Sequence, residues 1–301
     1  MLTFETLAQC AQAAGLDAVG VASSEYLEED DLYLQKWVEA GCNGSMSYME
    51  RNKEKRTNPS LLVEGTKSVV VGLLNYYKEE SLPQGVPYIA LSGRSTTDYH
   101  IAMRARLQQL EILLRASRNG QLAVSEKQHI FCDSAPLLER RWAQRAGLGW
   151  IGKNHLLIHP RLGSFVHIGI LLLSEEVLPY STPQADQCGD CHRCLNSCPT
   201  GALRVPLFDA RKCLSYLTIE RKEPLEAEYE EVVSKHLYGC DTCQRVCPYN
   251  KGIPVTQHQD LQTNPLLLTM TKEDWKTCSR RQKLKILHRL AHSEDENKKN
   301  S

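Results

Sequence analysis

The chain has 301 residues, 42% of them hydrophobic and 24% charged, a globular composition with length for about two domains. Thirty-six basic residues balance thirty-six acidic ones. This excludes a protein that coats nucleic acid through bulk charge and leaves only a local basic patch for that purpose. The longest apolar run lies within Ile168–Leu173, far short of the roughly 20 residues that span a bilayer. The chain opens without a basic segment followed by an apolar one, so a cytoplasmic monomer with no membrane contact is expected.

In chain order, Thr3–Ala14 has apolar residues at helical spacing and stops at Gly15, a plausible residue just past a helix end. Asp17–Ala22 reads as a short strand. Tyr26–Ala40 reads as an acidic amphipathic helix stopped by Gly41. Lys67–Leu74 is a near-continuous β-branched and apolar run, the pattern of a buried strand. A long helix is expected over Asp98–Ser117, a short strand over Gln128–Phe131, a helix over Pro136–Ala146 ending before Gly147, and a strand over Ser164–Leu173. The alternation predicts an α/β (α+β) domain over residues 1–178, with helices packed on a sheet. A linker-like stretch follows. Residues 179–255 carry most of the cysteines, and 256–301 form a short helical tail that includes RRQKLKILHRLAH.

Eight of the twelve cysteines fall between Cys188 and Cys247. In a reducing compartment such clustering argues for metal or catalysis rather than disulfides. The first group is Cys188-x2-Cys191-x2-Cys194-x3-Cys198-Pro199, and the second is Cys240-x2-Cys243-x3-Cys247-Pro248. The first group matches the two-cluster ferredoxin run, whose fourth cysteine serves the other cluster. Cys188, Cys191 and Cys194 then hold one [4Fe–4S] cluster and borrow Cys247. Cys240 and Cys243 hold the second and borrow Cys198, and Cys213 fills the last place. Structural zinc is the alternative for paired CxxC units, but four zinc ligands need neither the third CxxC step nor the two prolines. Cys10, Cys42, Cys132 and Cys278 read as packing residues.

Two clusters move single electrons, and the first domain must use them. Asp133 follows a short strand at the mouth of a helix, where open α/β sheets place ligands. Partly desolvated, with Phe131 and Trp150 as apolar neighbours, it could serve as a general acid. The plainer reading makes Asp133 or Ser134 a helix cap. Gly147, Gly149 and Gly152 punctuate AGLGWIGKN and would let a ligand approach the backbone. Lys153 and Asn154 are candidate ligand contacts. Arg51, Lys53, Lys55 and Arg56 form either a solvated face or a phosphate contact.

The stretches EKRTNP (54–59), TDYH (97–100), DSAPLLER (133–140), AGLGWIGKN (146–154), CGDCHRCLNSCPTGAL (188–203), RKCLSYLTIE (211–220) and YGCDTCQRVCPYN (238–250) together resemble the epoxyqueuosine reductases. The resemblance implies cobalamin in the N-terminal domain and two clusters in a ferredoxin-like domain. It implies reduction of epoxyqueuosine at the tRNA wobble position to queuosine, with two electrons from a low-potential donor, two protons, and release of water. It places the proton donor on Asp133. The implied cobalamin contacts are Arg56, Asn154, Leu157, Ile168 and Ser215, with Asp133 also at the cofactor. Because net charge is zero, RNA binding needs a local patch, for which Arg140, Arg141 and Arg145, and Arg280, Arg281, Lys283 and Lys285 in the tail, are candidates; burial or intramolecular pairing is the alternative for the first three. The rival readings are a corrinoid reductive dehalogenase-like enzyme and a non-catalytic iron–sulfur electron carrier.

Overall fold

The computed structural model describes residues 2–125, 128–204, 207–279 and 282. Its centre is a four-stranded sheet of β1 (Ala18–Ser23), β2 (Ser68–Asn75), β3 (Ile130–Phe131) and β4 (Val166–Leu173). The spatial order is β1-β2-β4-β3, and every neighbouring pair is antiparallel. All eight residues of β2 are buried, because helices cover both faces. Val70 and Leu74 point into one core with Leu7 and Ala11 of helix Phe4–Ala13 and Leu107, Leu110 and Leu114 of helix Tyr99–Ser117. Val69, Val71 and Leu73 point into the other core, with Trp142 and Ala143 of helix Glu139–Arg145. Each such fully buried leucine contributes about 1.5–3 kcal/mol relative to an exposed one.

The apolar runs therefore reported burial on both faces and not strand direction. An antiparallel sheet has no common carboxyl edge, so the crevice argument for Asp133 does not carry over from parallel sheets. The helix expected over Pro136–Ala146 begins only at Glu139. Residues 133–138 instead run irregularly, with Asp133 at φ 51° and the Leu138 amide donating to the Arg56 carbonyl at 3.1 Å. Gly15, Gly41 and Gly147 do follow the expected helices, with φ of 79°, 64° and 72°.

The cysteine-bearing segment packs directly on this domain. Trp37 Nε1 donates to the Phe208 carbonyl at 2.6 Å. Asn250 Nδ2 donates to Ser164 Oγ at 2.9 Å, and the Ser164 amide donates back to Asn250 Oδ1 at 2.7 Å. Near the end, helices Pro265–Thr269 and Lys272–Thr277 close a small core with Ile89, Leu267, Met270 and Trp275. The basic tail segment, with Arg280, Arg281, Lys283 and Lys285, lies outside the described residues. Among the described residues, no helix is long and apolar enough to cross a membrane.

Candidate active site and cysteine cavities

Cys188, Cys191, Cys194 and Cys247 line one cavity together with Lys153, Asn154, Ile158, Arg193, Pro248 and Tyr249. Cys194 sits in the short helix Arg193–Ser197, and Cys198 at its end belongs to a second group. There the Cys213 thiol interacts with Cys198 and Cys240, and the Cys243 thiol with Cys240 and Cys213. Cys243 also senses Cys194, so the two groups adjoin. Burial raises the thiol pKa of Cys194, Cys213, Cys243 and Cys247. Ionised sulfurs there need a positive centre to compensate. Among the described residues, no group of His, Cys, Asp or Glu closes on a single metal ion. The first foursome walls a single cavity.

Asp133 lies just beyond β3. Helix Glu139–Arg145 starts six residues later with Leu138 as its N-cap, so neither Asp133 nor Ser134 caps it. The Asp133 amide donates to Glu139 Oε1 at 2.6 Å, and Tyr99 Oη donates to Asp133 Oδ2 at 2.7 Å. His100 Nε2 lies 3.9 Å from the same oxygen, while its Nδ1 sits 2.6 Å from Asp98 Oδ1. Burial and the Asp133 charge push the Tyr99 phenol far above its usual range, so it remains a donor. Behind it the His167 ring stacks at 4.3 Å and 9°, and burial pushes that imidazole down to about 3, so it is neutral.

The desolvation expected for Asp133 is not what the protein supplies. Its side chain is 69% exposed. Phe131 points into the second core, and Trp150 packs edge-on against Tyr249 at 4.8 Å. The neighbours of Asp133 are instead Tyr99, His100 and Tyr48. Tyr48 senses Glu220, Asp133 and Arg56, and burial pushes its phenol up to about 12.

The expected cofactor contacts divide by location. Arg56 is buried, with Nη2 donating to the Tyr48 carbonyl at 2.6 Å and Nε without a partner. Asn154 is buried in the wall of the first cysteine cavity, and its Nδ2 is also unpartnered. Each is a buried donor with no acceptor in the protein, the state of a group that would hydrogen-bond a polar ligand. Ile168 on β4 adjoins the Asp133 loop, because its carbonyl accepts from Cys132 Sγ at 3.4 Å. Leu157 is buried in the same core as Phe131. Ser215 lies in helix Leu214–Ile219, whose Tyr216 hydroxyl accepts from the Ser45 amide at 2.7 Å.

The glycines of AGLGWIGKN serve the protein's own packing. A Cβ on Gly149, at φ 144°, would lie 2.1 Å from the Ile158 carbonyl oxygen, and one on Gly147 would lie 2.8 Å from that of Thr182. Gly149 lets the 150–158 hairpin close tightly, and Gly147 lets the 181–182 segment pass against the helix end, with no room for a side chain at either position.

A family model described as epoxyqueuosine reductase QueG, DUF1730, matches residues 56–134. One for a 4Fe-4S double cluster binding domain matches 187–250. The epoxyqueuosine reductase of Cellulophaga algicola is 37% identical over 262 residues, covering 87% of this chain and 83% of its own. The chain belongs to the epoxyqueuosine reductase family. The fold agrees: an epoxyqueuosine reductase solved with an epoxyqueuosine-modified tRNA-Tyr stem loop matches with TM-score 0.81 at 29% identity, covering 93% of this chain and 74% of that one. The Bacillus subtilis epoxyqueuosine reductase, solved with its aspartate catalytic loop swung out of the active site, matches with TM-score 0.78 at 29% identity over 94% and 75% of the two chains.

For a family that handles tRNA, the basic residues of helix Glu139–Arg145 are informative. Arg141 pairs with Asp30, and Arg145 with Glu25 at 2.6 Å. Those two guanidinium groups are engaged in ion pairs within the protein. Arg140 is exposed and donates to the His155 carbonyl at 2.9 Å. Arg51 is exposed on the basic run and Arg56 is buried. Sequence reasoning missed Tyr48, Glu139 and the Tyr99–His167 stack. The motifs TDYH and DSAPLLER contain Tyr99, His100 and Glu139, but no spacing rule reveals that they meet.

Proposed function

We propose that this chain reduces epoxyqueuosine to queuosine in tRNA, with Asp133 as its proton donor and an external low-potential donor as its electron source. Cobalamin held in the N-terminal domain, with two [4Fe–4S] clusters beside it, would supply the two electrons needed to remove the epoxide oxygen. Two protons leave with that oxygen as water. The ligands of one cluster are Cys188, Cys191, Cys194 and Cys247, and those of the other are Cys198, Cys213, Cys240 and Cys243. Arg56 and Asn154 would hold cobalamin through their unpartnered N–H groups, with Leu157, Ile168 and Ser215 as further contacts. The observation that carries the reading is the place of Asn154. Its free donor stands in the wall of the cysteine cavity, where a cofactor would receive electrons directly.

The chain's own residues manage the protons. Tyr99 donates to Asp133 Oδ2, which leaves Oδ1 to carry the proton toward the departing oxygen. Such a positioned acid contributes typically about 10²–10⁴-fold. Asp98 holds His100 Nδ1 and so aims Nε2 at Asp133, a route for refilling the acid after each transfer. The test is an anaerobic assay with tRNA carrying epoxyqueuosine and a chemical reductant, followed by nucleoside mass analysis. The expected product has lost one oxygen. Unchanged epoxyqueuosine, from enzyme with full iron content and corrin absorption, would overturn the reading. Binding to the tRNA is expected to weaken as salt rises.

A further inference from the structure

Asp133 is held in two separate ways. Its loop is tied by the Asp133 amide, which donates to Glu139 Oε1, and by Arg104 Nη2, which donates to Ser134 Oγ at 2.9 Å. Its carboxyl stands largely in the open and takes a hydrogen bond from Tyr99 Oη. The direction of the acid therefore depends on where the Tyr99 ring lies. The sequence supplies a support for that ring. Side chains alternate along β4 and the residue before it, so Phe165, Leu171 and Leu173 face the first core and Ile170 and Leu172 the second. His167 and Gly169 fall on the first-core side, under helix Tyr99–Ser117. Two residues advance a strand by about 6.7 Å, and four advance a helix by about 6 Å. Tyr99 and Met103 therefore meet His167 and Gly169 in step. A Cβ on Gly169 would lie 2.4 Å from Met103 Cγ, and the Tyr99 ring lies flat on that of His167, at 4.3 Å and 9°. On its other face His167 stacks on Tyr76 at 4.3 Å and 30°. Tyr76 is buried, packs edge-on against Phe165 at 5.8 Å, and accepts from Gln244 Nε2 at 3.4 Å.

We infer that His167 is a positioning residue for the proton donor: clamped between Tyr76 and Tyr99, it fixes the plane of the Tyr99 ring and, through it, the direction of the Asp133 carboxyl. Its Nε2 is buried without a partner, so the ring faces, and not a hydrogen bond from that nitrogen, make the clamp. Stacked rings prefer a narrow set of relative orientations. A branched aliphatic neighbour imposes no such plane, and the phenol beside it is free to tilt. The Tyr99 hydroxyl sits at the far end of its ring, where a small tilt is magnified. A misplacement of about 1 Å in a reacting group can cost about 10²-fold in rate. Because the role belongs to the flat faces, a phenylalanine at 167 should serve where a leucine does not.

The inference rests on Asp133 as the proton donor proposed above, which Asp133→Asn tests separately. Its own test compares His167→Leu with His167→Phe in the holoenzyme. Both side chains suit a buried apolar face, and only the second is flat. His167→Leu is expected to lower the single-turnover rate on epoxyqueuosine tRNA by about 10- to 100-fold, with tRNA affinity and iron content unchanged. His167→Phe should recover most of that loss. In crystal structures the leucine variant should lose the hydrogen bond from Tyr99 to Asp133 and the phenylalanine variant should keep it, whichever group is the acid. A leucine variant that keeps this contact would overturn the inference. So would a phenylalanine variant as slow as the leucine one, or a leucine variant at the wild-type rate when Asp133→Asn is slow. If His167→Leu does not fold, His167→Met, which also lacks a flat face, takes its place in the same comparison.

Discussion

The cysteine region and the crevice around Asp133 are built on opposite plans. The first uses short local loops. Cys188 to Cys198 fall within eleven residues, and backbone amides two or three residues on serve Cys213 and Cys247. The crevice instead gathers Tyr48, Arg56, Tyr99, His100, Asp133 and Glu139 from four separate segments, and single contacts hold it. A cage with four equivalent ligands fails as a unit when one is lost. A crevice of unlike residues loses one function at a time. Substitutions in the two regions should therefore leave different signatures.

The largest effect is expected at Asp133. Asn is nearly the same size and tolerates the left-handed φ of 51° found there, so Asp133→Asn should preserve the loop. It removes the acid and should lower turnover by about 10²–10⁴-fold, with iron and cobalamin content unchanged. Single-turnover rates on epoxyqueuosine tRNA measure this directly. A rate near wild type would place the acid elsewhere and break the contrast with the cage.

Next in size is Cys213→Ala. Cys213 stands outside any CxxC, yet it meets Cys198, Cys240 and Cys243. Its loss should cost one cluster, about half of the iron, and remove one EPR signal. Cys278 packs beside the Ile89–Trp275 core, and Cys278→Ala should retain both clusters. Full iron in the Cys213 variant would remove it from the ligand set.

These two regions also differ in how much of them the sequence carried. Cysteine spacing is a local quantity, so the two CxxC runs could be read before any fold was known, whereas Cys213, alone in the sequence, entered only through the ligand count. Apolar runs likewise gave β2 and β4, because burial on both faces leaves its mark residue by residue. Strand direction left no such mark. Residues 136–138 read as the first turn of a helix because Pro136 and the apolar spacing of Leu137, Trp142 and Ala143 fit one, yet the helix begins at Glu139. The outcome turned on long-range contacts, Leu138 to Arg56 and Asp133 to Glu139. Local propensity cannot register these. The ion pairs that occupy Arg141 and Arg145 are long-range in the same way.

The smallest effect concerns Glu139, and it is a dependence of stability on pH. Burial and the neighbouring Asp133 charge push its carboxyl up to about 8, against an ordinary 4.5. Between those values the folded chain keeps a proton that the unfolded chain has released. Folding stability must then fall as pH rises through that window, and level off above about 8. Glu139→Gln cannot ionise, yet its amide oxygen can still accept from the Asp133 amide. Its unfolding midpoint should lose this contribution to the decline, so the gap between variant and wild type should widen in the variant's favour from pH 5 to pH 8. Denaturant titrations at several pH values under anaerobic conditions measure it. Parallel curves for the two proteins would mean that Glu139 is ionised in the native state. The crevice would then be held by a charged acceptor, and its contrast with the neutralised cage of thiolates would lie in geometry alone.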